Sequence, residues 1–113
     1  MVHTLTCNAF GEQTYVVEHG DGGLTVVDPG MASGEERKAF QDLCDRLDAK
    51  PVQVLLTHAH LDHVMGCAWM KDTYGLVPRL HLADRETYEQ APRVAEVYGV
   101  RMDPVPEAAL DLS

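Results

Sequence analysis

Apolar and polar positions alternate at the start of the chain. Val2 to Phe10 and Gln13 to Glu18 read as two strands, with Gly11-Glu12 as the hairpin turn between them. Asp21-Gly22-Gly23 is a second turn signal and Leu24 to Val27 a third strand, so the opening predicts an antiparallel meander. The period then changes. Ser33-Gly34-Glu35-Glu36 has the form of a capping box, with Ser33 at the N-cap and Glu36 three residues on. It opens a helix to about Asp48, with Phe40, Leu43, Cys44 and Leu47 as its apolar stripe.

Val52 to Leu56, apolar and β-branched behind Pro51, predicts a buried strand. A second helix is expected from Asp62 to about Tyr74, stopped by Gly75, with Met65, Ala68 and Trp69 on its buried face. Trp69 fits core packing better than a pocket wall. Arg79 to Ala83 is a short strand. Asp84 caps a helical stretch to Tyr98, broken or restarted at Pro92, with Tyr88, Ala91, Ala95 and Tyr98 inside and Gly99 at its end. Beyond Val100 the pattern is irregular, with Pro104 and Pro106 close together. No repeat or low-complexity segment interrupts this order.

These elements predict an α/β domain: one mixed sheet with helices on one face. The strands at Tyr15 to Val17, Leu24 to Val27 and Val52 to Leu56 are apolar on nearly both faces, and such strands expect cover on both sides. A bare apolar sheet face is rare on a soluble monomer. A homo-oligomer, closed by a two-fold sheet-on-sheet contact, is therefore expected.

Composition narrows the function classes. The chain has 113 residues, enough for one small domain. It carries 18 acidic against 9 basic residues, a net charge of −9. That opposes a nucleic-acid backbone as partner, which needs clustered Lys and Arg. Cys7, Cys44 and Cys67 are odd in number, widely spaced and without metal spacing, so a reduced, cytoplasmic setting fits. No apolar run reaches membrane-spanning length, and no signal-peptide pattern opens the chain.

The candidate chemistry lies in Thr57-His58-Ala59-His60-Leu61-Asp62-His63, directly after the Val52–Leu56 run. If the chain stays extended through His60, His58 and His60 project to the same side. Asp62 and His63 then fall on the first turn of the following helix. Four nitrogen and oxygen donors converge at the carboxyl end of a strand, where α/β folds place their sites. Imidazole and carboxylate without thiolate suit Zn, Fe or Mn. Four donors this close divide more naturally into two pairs than onto one ion. As a plain strand-to-helix turn, Asp62 would be an N-cap or first-turn acid and the histidines solvated. That account serves for one histidine, not for three with an aspartate at this spacing. His3 and His19, at a strand start and a turn edge, read as solvated. His81, between Leu80 and Leu82, reads as structural. Asp28-Pro29-Gly30 is either a simple turn or a carboxylate that orients the ligand histidines from behind.

The stretch resembles the T-H-x-H-x-D-H metal-binding signature of the metallo-β-lactamase superfamily at every specified position. Asn8 to Val17 resembles that family's opening strand pair, and Leu24 to Gly30 its strand ending in an Asp-x-Gly turn. The hydroxyacylglutathione-hydrolase (glyoxalase II) branch is the most similar in style. The resemblance implies an αββα sandwich, with His58 and His60 on a first ion and Asp62 and His63 on a second. It implies that Asp28 and Thr57 support the ligands without binding the ions. It also implies a further histidine, a bridging aspartate and a last histidine from a second half of the domain, which finds no counterpart in residues 1–113. The chain is thus expected to be the N-terminal half, ending near the seam at Ala108 to Ser113.

The function implied is metal-assisted hydrolysis of a thioester or small ester. Two zinc ions (or Fe or Mn) polarise the carbonyl and bind the attacking hydroxide, and Asp62 receives its proton. The competing reading is a non-catalytic half-domain or fragment that binds metal and oligomerises. A redox member of the same fold, using iron, is a weaker third.

Overall fold

A computed structural model describes residues 1–112, giving the backbone alone for Leu110 to Leu112. Six strands form one sheet in sequence order: β1 (Val2–Cys7), β2 (Glu12–Glu18), β3 (Gly23–Val27), β4 (Lys50–Leu55), β5 (Pro78–His81) and β6 (Ala109–Leu112). The first three pair antiparallel, as expected, and β3 to β6 run parallel. The parallel crossovers carry the helices: α1 (Gly34–Leu47), α2 (Leu61–Val64), α3 (Cys67–Tyr74) and α4 (Arg85–Val97). The α/β class and the mixed sheet stand. Near the end, Ala109–Leu112 forms β6 beside β5, and Ser113 lies outside the described residues.

The core occupies one side of the sheet. Val16, Leu24, Val26 and Val54 pack with Phe40, Leu43 and Cys44 of α1 and Met70 of α3. Leu56 and Leu80 pack with Tyr88 and Ala91 of α4. Trp69 sits edge-on to Phe40 and Tyr74 beside this core, as packing required. On the opposite side, Tyr15 pairs Val27, Val17 pairs Thr25, and Val27 pairs Leu55 in register. No described helix packs on that side.

Several local expectations are corrected. β1 ends at Cys7 rather than Phe10, because Asn8 turns left-handed (φ 53°). The turn thus spans Asn8 to Gly11, and Glu12 is the first, buried residue of β2. β4 begins at Lys50, and Val52 is half-exposed rather than buried. The β3–β4 register shifts there, from Leu24 with Pro51 to Thr25 with Gln53, so Val52 is an extra residue in a bulge. The single helix expected over 62–74 is two. Gly66 parts them because its N–H bonds Pro29 O at 2.8 Å, and a Cβ there would lie 2.9 Å from that oxygen.

α4 runs unbroken through Pro92. Its buried Tyr88, Ala91 and Ala95 anchor both turns around the proline, so packing overrides the local penalty. Tyr98 is not on that inner face: it is exposed and meets Phe10 edge-on. The short strand stops at His81, and Leu82–Asp84 forms a 3₁₀ turn whose Ala83 N–H bonds His81 Nδ1. His3 and His19 are not simply solvated. His3 pairs Glu18 across β1 and β2 at 2.8 Å, and His19 Nε2 lies 2.6 Å from Thr25 Oγ1.

Candidate metal centre

Parallel pairing decides where the site forms. β3 and β4 are neighbours with Val27 opposite Leu55, so the loops after both strands leave the sheet side by side. Asp28 turns left-handed (φ 54°) at that edge, and its N–H bonds Leu55 O at 2.9 Å. Its buried carboxylate accepts from Thr57 N–H at Oδ1 (2.8 Å) and from the Thr57 hydroxyl at Oδ2. Asp28 and Thr57 therefore lock the start of the histidine loop to the end of β3.

Past the last ladder bond the strand's alternation breaks: Leu56 is buried, but Thr57 and His58 are both exposed. Ala59 is buried while His58 and His60 are exposed. Their rings stack on the same side, 6.1 Å apart at 26°. His60 is then the N-cap of α2, and Asp62 and His63 fall in its single turn. His63 comes to 4.9 Å from the His58 ring, with its Nε2 3.5 Å from Asp62 Oδ2. Its other nitrogen, Nδ1, lies 3.1 Å from Asp28 Oδ2. Asp28, His58 and His63 each offer an atom within 4.8 Å of the other two. His60 and Asp62 stand beside this group, His60 on the His58 ring and Asp62 on His63.

The donors fit a divalent ion. They are imidazole nitrogens and carboxylate oxygens, half-open to solvent and backed by a buried acid. The cysteines take no part. Burial pushes the Cys7 and Cys44 thiols up to about 11, and raises Cys67 further. All three are free and buried.

The sequence pattern does not mark as site residues four that the fold brings here: Asn8, Glu36, Thr14 and Glu12. Asn8 Nδ2 donates to Asp62 O (2.9 Å) and Gly30 O (3.1 Å), tying the metal loop to the turn after β3. Glu36 does not close its capping box: Ser33 Oγ accepts from Glu36 N–H, but the Glu36 carboxylate takes Ala32 N–H and, across the fold, Asn8 N–H. Thr14 Oγ1 accepts from Gly30 N–H (3.0 Å) and reaches Asp28 O and Glu12 Oε2, each at 2.9 Å. Glu12 is buried, with Oε1 3.6 Å from His63 Nδ1. Desolvation pushes its carboxyl up to about 8; the Thr14 hydroxyl opposes this, while Asp28, Asp62 and Glu36 add to it. The signal was present but faint: Glu12, Thr14 and Val16 share the buried parity of β2, and an acid in that phase needs a reason.

Known proteins place this arrangement. A relative in Mycobacterium tuberculosis (strain ATCC 25618 / H37Rv), itself uncharacterized, is 32% identical over 99 residues, covering 82% of this chain and 41% of its own length. The hydroxyacylglutathione hydrolase GloC of Haemophilus influenzae is 26% identical over 100 residues, with 88% and 45% covered. Among solved structures, TTHA1623 in a di-iron-bound form superposes with a TM-score of 0.83 at 31% identity, covering 98% of this chain and 54% of that one. The BLEG-1 B3 metallo-beta-lactamase superposes at 0.75 and 22% identity, with 99% and 54% covered. The chain thus spans about half the length of the proteins it matches. The family model of the metallo-beta-lactamase superfamily matches residues 8–108, from the Asn8 turn through the histidine loop to the approach to β6. The chain belongs to the metallo-beta-lactamase superfamily.

Proposed function

We propose that this chain carries the first half of the active site of a metal-dependent hydrolase acting on a thioester or small ester. The observation that carries the reading is the pairing of donors: His58 with His60 on one ring stack, and His63 Nε2 with Asp62 Oδ2 at 3.5 Å. Zinc is the first choice of metal, with iron or manganese as alternatives for the same donors. The GloC relative, named for thioester hydrolysis, supports the substrate class.

When bound, two such ions polarise a carbonyl and lower the pKa of water. The rest falls to the chain's own groups. His58, His60 and His63 supply neutral nitrogens. Asp62, half-buried at the first turn of α2, supplies Oδ2 as ligand and as the acceptor of a proton released beside it. Asp28 and Thr57 hold the loop so that these groups do not have to be ordered by the substrate.

The test is hydrolysis of S-lactoylglutathione by the purified protein loaded with zinc, manganese or iron in turn. Asp62→Ala should lower turnover by about 100-fold or more while leaving the circular dichroism spectrum intact. Equal turnover in both proteins would remove Asp62 from the chemistry. Metal uptake with no turnover in either would favour the other reading, a half-domain that binds metal without catalysis. The uncovered sheet face supports a further proposal, that a second copy of the chain covers it.

A further inference from the structure

The ligand assignment leaves Glu12 without a role, and the geometry around it is specific. Its side chain is 1% exposed, and burying a carboxyl without partners is costly. Oε2 is held by the Thr14 hydroxyl at 2.9 Å. Oε1 has no hydrogen-bond partner among the described residues, and neither does His63 Nδ1; the two lie 3.6 Å apart. Asp28 Oδ2 is nearer to Nδ1, at 3.1 Å, but the ring N–H is not aligned on it. The slot is made for the carboxyl: a Cβ on Gly30 would fall 2.2 Å from Glu12 Oε2 and 2.9 Å from Asn8 Nδ2.

We propose that Glu12 is a positioning residue for the second metal pair: its Oε1 accepts the Nδ1–H of His63 and so presents Nε2 to the ion shared with Asp62. This rests on the reading of His63 and Asp62 as ligands. A small turn of the imidazole brings 3.6 Å into the hydrogen-bonding range of about 2.8–3.0 Å. With the proton kept on Nδ1, the lone pair stays on Nε2, the nitrogen 3.5 Å from Asp62 Oδ2. Asp28 then serves Thr57 and the loop backbone, and Glu12 serves the ring.

Two substitutions separate this role from packing. Glu12→Gln keeps an oxygen for His63, and its amide can donate to Thr14 Oγ1. Glu12→Leu keeps volume and removes the acceptor. The first readout needs no metal: long-range ¹H–¹⁵N NMR of the protein at one pH, with His63 assigned by His63→Gln. Wild type and Glu12→Gln should carry the proton on Nδ1, and Glu12→Leu a mixture of tautomers. The second readout is cobalt(II) titration followed by its visible spectrum. Glu12→Leu should bind the second ion about 10- to 100-fold more weakly, and Glu12→Gln as wild type does. A wild-type His63 protonated on Nε2 would overturn the proposal whether or not Glu12→Leu folds. So would a folded Glu12→Leu with unchanged tautomer and affinity. A wild-type protein that takes up no cobalt would refute the metal reading instead, while the tautomer still decides Glu12.

Discussion

The buried Glu12 carboxyl and the Thr14 hydroxyl beside it predict how stability responds to pH. The hydroxyl has one proton and two lone pairs. One lone pair takes Gly30 N–H, and Asp28 O, which can only accept, claims the proton. Where the hydroxyl turns its proton to Glu12 Oε2 instead, it favours the carboxylate. Burial outweighs this and favours the protonated acid, pushing Glu12 from 4.5 to about 8. Between those values the folded chain holds a proton that the unfolded chain releases. Stability of the metal-free protein should therefore fall as pH rises from 4.5 to about 8, and level off above. Thermal melts across this range should show that slope in wild type and a flatter one in Glu12→Gln. Parallel slopes would mean that Glu12 ionises freely.

At the scale of elements, two glycines predict opposite effects. Gly66, between α2 and α3, lies against the turn after β3: an added Cβ would sit 2.9 Å from Pro29 O and 3.0 Å from Met31 N, both backbone. Gly66→Ala should destabilise by about 1–3 kcal/mol, because neither strand end nor helix can yield cheaply. Gly34 opens α1, and a Cβ there meets nothing within 4 Å. Gly34→Ala should stabilise by up to about 1 kcal/mol through helix propensity. Denaturant melts of both variants check the pair, and a neutral Gly66→Ala would show that the α2–α3 junction is loosely packed. The same junction sets the reach of the metal loop, since the Gly66 N–H bond to Pro29 O fixes where α2 ends relative to Asp28.

At the scale of the molecule, the described helices cover one side of the sheet. The helices pack over Val16, Leu24, Val26, Val54 and Leu80. The other side holds Tyr15, Val17, Val27 and Leu55, bordered by a polar chain from His19 through Thr25 to Gln53. If a second copy covers this side, native mass spectrometry at micromolar concentration should show a dimer, and Tyr15→Lys should dissociate it with secondary structure intact. A monodisperse wild-type monomer would refute the dimer. No described helix is long and apolar enough to cross a membrane.

Local patterns were sufficient for the meander, the α1 stripe and the spacing of His58, His60, Asp62 and His63, because each depends on neighbours within a few residues. The strand alternation expected through His60 breaks at Thr57–His58, yet the His58 and His60 rings still stack. Tertiary structure decided what depends on distant partners. Asp28 meets Thr57 across 29 residues because β3 and β4 lie parallel in register, and Asn8 reaches Asp62 O across 54. Pro92 stays inside a helix, and Val52 leaves the core, because packing and register outweigh local preference. Glu12 looked like a turn residue beside Gly11. Only the fold, by closing β2 over the turn after β3, turned it into a buried acid facing His63.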